Sequence, residues 1–292
     1  MKPFLKWAGG KRQLHFVIIP IIKKNLLQHN TYYEPFVGAG SVFLELAHPK
    51  VVINDANEDL MMCYREIKNN SPRVLNYLEI HKNNHSKEYF YQIRSVDRDL
   101  SLFEEMTSSE RAARVIYLNK TCFNGLYRVN KKGQFNTPFG SYKNPNILDR
   151  NNISSISQYL KNNDVEIRNV DFAQSVFNAK NGDFIYFDPP YDYEEKGFSD
   201  YQKEGFTKFD LERLKRICDD LIERGCHVLI SNHATKNVIE LFSEENYELI
   251  DPTYIINYYN VKRYIGSKPE YRKDAREVLI YGWKKGNIPT GK

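Results

Sequence analysis

The sequence predicts an α/β fold: an open, mostly parallel sheet with helices on both faces. Three observations carry that prediction. Towards both ends of the 292 residues, short apolar runs alternate with stretches of helical apolar spacing, the rhythm of a sheet covered on both sides. Two of the strand-like runs lead into turns with special backbone chemistry, Gly38-Ala39-Gly40 and Asp188-Pro189-Pro190-Tyr191. Between them, residues 68–161 are polar and rich in Asn, Lys and Arg. That segment reads as a second, mainly helical domain inserted into a core made of 1–67 and 162–292.

The elements follow in order. Tyr32 to Val37 reads as a short strand, Ser41 to Leu46 as a helix, and Val51 to Asn54 as a buried strand. Leu60 to Ile67 has helical spacing. Within the insertion, Ser108 to Asn119 reads as a helix, and Leu126 to Phe135 as a hairpin turning on Asn130-Lys131-Lys132-Gly133. Val165 to Ile167 and Phe184 to Phe187 are strands. Thr207 and Asp210 have the spacing of a capping box. The helix they open puts Leu211, Leu214, Ile217, Leu221 and Ile222 on one face. His227 to Ser231 and Glu277 to Tyr281 are the last strands. No low-complexity linker or internal repeat interrupts the pattern.

Composition narrows the function classes. Charged residues at 27% and hydrophobic residues at 41% are ordinary for a soluble globular chain. No apolar run approaches the roughly 20 residues of a membrane span, and the first residues lack the apolar stretch of a signal peptide. Cys63, Cys122, Cys218 and Cys226 are scattered, and the seven histidines show no metal-ligand spacing. The expectation is free thiols in a reducing cytoplasm and no metal. A net charge of +5 and 38 Tyr and Phe residues (21 and 17), many beside Lys, Arg or Asn, suit base stacking with phosphate contact.

The glycine turn points to a cofactor. Glycines let the chain turn sharply and let a ligand approach the backbone. Asp55 follows at the end of the next strand, where an acid accepts bonds from ribose hydroxyls. The third glycine of the dinucleotide fingerprint is absent, which favours a nucleoside such as S-adenosylmethionine over a pyrophosphate. Lys6-Trp7-Ala8-Gly9-Gly10-Lys11 contains Gly-Lys, but Arg12 stands where a phosphate loop needs Ser or Thr. Nucleoside triphosphate binding is rejected on that ground, and a tryptophan beside two glycines favours a folded role over a loose basic tail.

In Asp188-Pro189-Pro190-Tyr191 each proline fixes φ and removes an N–H. The turn therefore holds a carboxylate, free carbonyls and a ring in fixed relation, as a planar ligand with an NH2 group requires. A capped strand end would have the same sequence by itself; the surrounding motifs decide between the two.

Those motifs together resemble the Dam-type DNA N6-adenine methyltransferases, including enzymes that methylate GATC. The resemblance extends to Asn119-Lys120-Thr121-Cys122-Phe123-Asn124-Gly125-Leu126-Tyr127-Arg128 and to Phe135-Asn136-Thr137-Pro138-Phe139-Gly140, and it spans nearly the whole chain. It implies a Rossmann-like S-adenosylmethionine-dependent methyltransferase core with an inserted target-recognition domain carrying the β-hairpin. It further implies that Trp7, Ala8, Gly9, Lys11, Phe36, Gly38, Gly40 and Ser41 hold the cofactor, that Asp55 takes its ribose, and that Asp171 and Phe172 read its adenine. Asp188, Pro189, Pro190 and Tyr191 would form the catalytic pocket, with Asp188 reaching the cofactor as well. On the DNA side, Arg128 is similar to an arginine that reads guanine, and Leu126 and Pro138 to contacts with a thymine methyl. Phe123 is similar to an aromatic wedge, where better-known members carry Tyr; Lys6, Asn124 and Asn136 complete the set. Ser141 stands where several relatives have Arg, and 192–205 is idiosyncratic, so the recognition sequence is less constrained than the chemistry.

The implied activity is site-specific methylation of adenine N6 in double-stranded DNA, with base flipping and direct transfer from S-adenosylmethionine, at GATC. The setting is a restriction–modification system or an orphan methylase, in the cytoplasm of a bacterial or phage-infected cell. The enzyme would act as a monomer or weak dimer, beside a restriction endonuclease in the first setting and without membrane contact. Lys131, Lys132, Lys143, Lys262, Arg263 and Arg272 are candidate phosphate contacts. Three alternatives stay open: an RNA N6-adenine methyltransferase, a non-catalytic nucleic-acid-binding protein on the same fold, and a cytosine-N4 enzyme, which more often has Ser in place of Asp188.

Overall fold

A computed structural model of the protein describes residues 1–7, 12–191, 206–243, 252–262 and 274–284. Among these, the helices are α1 (His15–Asn25), α2 (Ser41–Leu46), α3 (Glu58–Asn83), α4 (Lys87–Ser95), α5 (Leu100–Glu105), α6 (Ser108–Thr121), α7 (Arg150–Asn162), α8 (Lys208–Glu223) and α9 (Lys236–Phe242). The strands are β1 (Tyr32–Glu34), β2 (Lys50–Asn54), β3 (Asp164–Arg168), β4 (Phe184–Phe187), β5 (His227–His233), β6 (Pro252–Lys262) and β7 (Asp274–Lys284). The fold is mixed α/β, and the chain divides into two compact units: 1–12, 37–49 and 55–169, and 13–36, 50–54 and 170–292.

In the unit that holds most of the sheet, six strands lie in the order β2-β1-β4-β5-β7-β6. β1 runs parallel to β2 and β4, and β4 parallel to β5, with Phe187 opposite Ile230. β7 is antiparallel to both β5 and β6. The parallel strands are buried on both faces, which explains why they read as continuous apolar runs rather than alternating ones. On one face Tyr33, Ile185, Phe187, Val228, Ile230 and Ile280 pack against Leu211, Leu214, Cys218, Leu221 and Ile222 of α8 and Val238 and Phe242 of α9. On the other, Tyr32, Phe184, Tyr186, Leu229 and Leu279 are equally buried. The predicted capping box is present: Thr207 accepts from the Asp210 N–H, and Asp210 accepts from the Thr207 N–H.

The other unit is mostly helical. α3 packs along α6 and α7. Residues 112–119 of α6 are all buried, so this helix is a core element rather than an amphipathic one. Arg114 is tolerated inside because Asp97 pairs with it at 2.8 Å and the carbonyls of Ile93 and Arg94 accept its other N–H groups. α6 opens on a full capping box, Thr107 with Glu110. The spacing at Leu60–Ile67 continues to Asn83: α3 is two helices merged at Asn70, whose φ and ψ are −131° and 30°. Pro72 sits just past that break, in a first-turn position where its missing N–H costs little. The four cysteines are buried thiols.

Candidate functional site

The glycine turn is a tight, fully specified piece of backbone. Gly38 and Gly40 have φ of 50° and 73°, in the left-handed region that side chains disfavour. A Cβ on Gly40 would lie 2.2 Å from the Phe43 ring and 2.5 Å from the Tyr64 hydroxyl, and one on Gly38 would lie 3.0 Å from the Trp7 indole. The Gly38 N–H donates to Asp55 at 3.1 Å, and the Tyr64 hydroxyl donates to the Gly38 carbonyl at 3.1 Å. Trp7 is half-buried, stacked on Tyr127 with centroids 5.2 Å apart. The Tyr127 hydroxyl in turn donates to Asp59. Trp7, Gly38, Gly40 and Asp55 are thus brought together, with Ser41 opening α2 beside them. Ala8, Gly9 and Lys11 lie outside the described residues.

Asp55 accepts from the N–H groups of Gly38 and Asn57. Burial raises its pKa, and those two donors offset part of the rise. A carboxylate has about four lone-pair sites, so two backbone bonds leave capacity for a pair of ligand hydroxyls.

In the same unit the candidate DNA-reading residues cluster on one loop and one hairpin. Phe123, Asn124, Arg128 and Pro138 are exposed, and Leu126 and Asn136 half-buried. Val129 bridges Phe135, and the Asn130 N–H bonds the Gln134 carbonyl at 2.9 Å around the predicted Asn-Lys-Lys-Gly turn. Arg128 donates from Nε to the Asn136 side-chain oxygen at 2.7 Å, so the two side chains support one another across the hairpin. Asn124 sits at φ 54°, beside the Phe123 N–H that is bonded to the Pro138 carbonyl. The Lys6 ammonium lies 3.7 Å from the centre of the Tyr142 ring.

In the sheet unit, β4 delivers Asp188, half-buried, to the head of the Pro189-Pro190 turn. Asp188 accepts from the Ser231 hydroxyl at 2.7 Å. The Tyr191 hydroxyl donates to Glu277, itself buried, at 3.1 Å, and its ring meets His233 edge-on at 4.5 Å. Burial first, then the charges of Asp188 and Glu277, drives the Tyr191 phenol well above its usual range, so its role is that of a neutral ring. Phe36, half-buried, forms an aromatic cluster with Phe172, Phe187 and Phe206. Asp171 accepts from the Ala173 N–H and is gripped in a fork by Arg213, whose guanidinium lies over the Phe172 ring.

Three side chains that contact predicted site residues are not apparent from motifs. Arg213, Ser231 and Glu277 bond Asp171, Asp188 and Tyr191, and their only sequence signal is a polar side chain within or beside an apolar element. Of the candidate phosphate contacts, Lys131, Lys132 and Lys143 are exposed. The Lys262 side chain, Arg263 and Arg272 lie outside the described residues, as does the 192–205 loop.

A family model described as D12 class N6 adenine-specific DNA methyltransferase matches residues 7–256. The chain is 42% identical over 283 residues to the type II methyltransferase M1.LlaDCHI of Lactococcus lactis subsp. cremoris, covering 96% of this chain and 95% of that protein. It is 37% identical to the type II methyltransferase M.MjaIII of Methanocaldococcus jannaschii, at 97% and 99% coverage. It is 31% identical to the DNA adenine methylase of Escherichia coli K12, at 100% and 98% coverage.

Proposed function

The chain belongs to the D12 class of N6 adenine-specific DNA methyltransferases, and on that premise we propose that it methylates adenine N6 at GATC in double-stranded DNA, using S-adenosylmethionine and a flipped base. The observation that carries the mechanism is the Asp188-Pro189-Pro190-Tyr191 turn, with a carboxylate held by Ser231 and a ring held by Glu277 and His233.

The residues fit the cofactor. Gly38 and Gly40 hold a left-handed backbone turn without side chains of their own, and Asp55 beside them retains acceptor capacity for ribose hydroxyls; in the sheet unit, Phe36 and Phe172 offer an aromatic surface for a purine. When bound, S-adenosylmethionine supplies an electrophilic methyl group on a sulfonium. This chain's residues prepare the other reactant. The N6 lone pair of adenine is delocalised into the ring, which makes the amine a poor nucleophile. Asp188 and the Pro189 carbonyl accept its two N–H bonds and favour a pyramidal nitrogen with a directed lone pair. Tyr191 stacks on the base. The new N–C bond would form as the methyl–sulfur bond of the sulfonium breaks, leaving a neutral thioether, and one amine proton would pass by way of the Asp188 carboxylate to solvent; no covalent enzyme intermediate is needed, in keeping with four buried thiols. Extruding the base costs a few kcal/mol, offset by backbone contacts from lysines such as Lys131 and Lys132.

Residues 68–161 serve as the target-recognition domain. The likeness of Leu126, Arg128 and Pro138 to the readers of GATC-methylating enzymes supports that site. Arg128, bidentate to a guanine edge, would contribute about 1–3 kcal/mol of discrimination. The type II names of the two more similar relatives support a role protecting DNA from a partner endonuclease in the cytoplasm; an orphan methylase is the alternative setting. Among the described residues no helix is long and apolar enough to cross a membrane.

The test is incubation of the purified protein with methyl-labelled cofactor and three substrates: a GATC duplex, the same duplex with the site permuted, and RNA of the same sequence. Label on adenine of the first alone is expected. Label in RNA, on cytosine, or equally in both duplexes overturns the corresponding part of the reading.

A further inference from the structure

Asp188 closes β4, and the strand beside it is β5, with Phe187 opposite Ile230. One residue further along β5 stands Ser231, fully buried, its hydroxyl donating to Asp188 Oδ1 at 2.7 Å. A serine hydroxyl carries a single proton. With that proton given to the carboxylate, the 3.0 Å contact between Ser231 Oγ and the Tyr186 hydroxyl has Tyr186 as its donor. Tyr186 is wholly buried on β4. Burial, and secondly the Asp188 charge, pushes its phenol well above the usual range, so it keeps the proton it donates. The three side chains form one directed string, Tyr186 to Ser231 to Asp188.

Core packing alone does not call for that string. Phe and Ala would fill nearly the same volume with no hydroxyl to satisfy, and buried hydroxyl pairs add little net stability. The string nonetheless ends on the carboxylate at the head of the Pro189-Pro190 turn. The terminal torsion of an aspartate is broad. A hydrogen bond to one carboxylate oxygen removes that freedom, and productive geometry tolerates only a fraction of an ångström of displacement.

We propose that Ser231 and Tyr186 are positioning residues for methyl transfer, locking the Asp188 carboxylate in the orientation in which it meets the target amine. This rests on the reading of Asp188 as acceptor for that amine, and neither hydroxyl needs to touch substrate. The string runs through a strand that no sequence motif of the site includes.

Steady-state methylation of duplex DNA by the full chain tests it, with wild type, Ser231→Ala, Ser231→Thr, Tyr186→Phe and the Ser231→Ala/Tyr186→Phe double variant. Loss of one hydrogen bond to a charged group predicts that Ser231→Ala lowers kcat by about 10- to 100-fold, with KM for cofactor and DNA kept within about twofold. Ser231→Thr, which keeps the hydroxyl, recovers most of the rate. Tyr186→Phe loses less, and the double variant is no slower than Ser231→Ala, because Tyr186 acts only through Ser231. A wild-type rate for Ser231→Ala, a loss in KM rather than kcat, or single losses that multiply in the double variant each overturn the proposal. If the Ser231 variants do not fold, Tyr186→Phe decides alone: lowered kcat at unchanged KM supports the string, and a wild-type rate overturns it. Asp188→Ala run in parallel separates the two readings. Normal turnover by that variant removes the acceptor role itself, whereas an inactive Asp188→Ala beside a fully active Ser231→Ala removes only the positioning role.

Discussion

Replacing Asn119 by Ala should destabilise the helical unit and loosen the segment that carries Lys6 and Trp7. The Asn119 side chain is 0% exposed at the end of α6. Its oxygen accepts from the Lys6 N–H at 2.8 Å, and its amide donates to the Lys6 carbonyl at 2.8 Å and to the Gly125 carbonyl at 3.0 Å. One side chain thus ties the N-terminal segment to the loop bearing Phe123 and Asn124. Removing it orphans the carbonyl of Gly125, a buried residue, at about 1–3 kcal/mol. The two Lys6 groups belong to an exposed residue and regain water, so each loses only the net worth of its bond, about 0.5–1.5 kcal/mol. The total is about 2–6 kcal/mol, a large share of the roughly 5–15 kcal/mol stability of a folded domain. Urea unfolding with a check that the slope is unchanged measures it. Asn119→Asp is the informative control. It keeps the shape and the acceptor but aims an oxygen at two carbonyls, and should fall at least as far as Ala. An Asn119→Ala protein within about 1 kcal/mol of wild type, less than the buried carbonyl and one Lys6 bond together predict, refutes the reasoning, as does an Asp variant of wild-type stability.

Other substitutions probe other links. Arg128→Ala should keep cofactor affinity, measured by calorimetry, while losing about 10- to 100-fold of the preference for the cognate duplex over a permuted one; unchanged preference would contradict its role as a reader. Gly40→Ala combines a left-handed φ, costing about 1–2 kcal/mol, with a clash against Phe43 and Tyr64. It should weaken cofactor binding about tenfold or more, whereas Gly133→Ala, with open space around it, should leave that affinity unchanged. Stability should also fall in mild acid. Burial and then the Arg114 charge lower the His81 pKa from 6.5 to about 4. As pH drops through that window the unfolded chain binds a proton that the folded chain refuses, so stability is lost on acidification, by up to about 1.4 kcal/mol per pH unit. Urea midpoints at pH 7 and 5 should converge in His81→Gln relative to wild type.

The parallel part of the sheet was legible because buried strands between helices read as short apolar runs, and Thr207 with Asp210 marked α8 outright. β6 is not legible in the sequence because, among the described residues, it pairs only with β7. It leaves Ile255 and Tyr258 exposed and starts on Pro252, a residue suited to an edge strand. α1 was masked by β-branched residues and by Pro20, although Ile18, Ile19 and Ile22 line its buried side. α3 looked shorter because Ser71-Pro72 resembles a helix stop, while the chain restarts the helix there. At the site, turns built on glycine and proline were visible since only those residues permit the backbone they need. Ser231, Glu277 and Arg213 were not, since a single polar residue in an apolar run says nothing of the partner that folding brings to it.

The most direct test of the central claim is the base modified in a cell. Expression in a methylation-free bacterial host, followed by sequencing of its genomic DNA for modified bases, should reveal N6-methyladenine at GATC with wild type and none with Asp188→Ala. Unmodified DNA, methylation of cytosine, or unchanged N6-methyladenine with Asp188→Ala would contradict it.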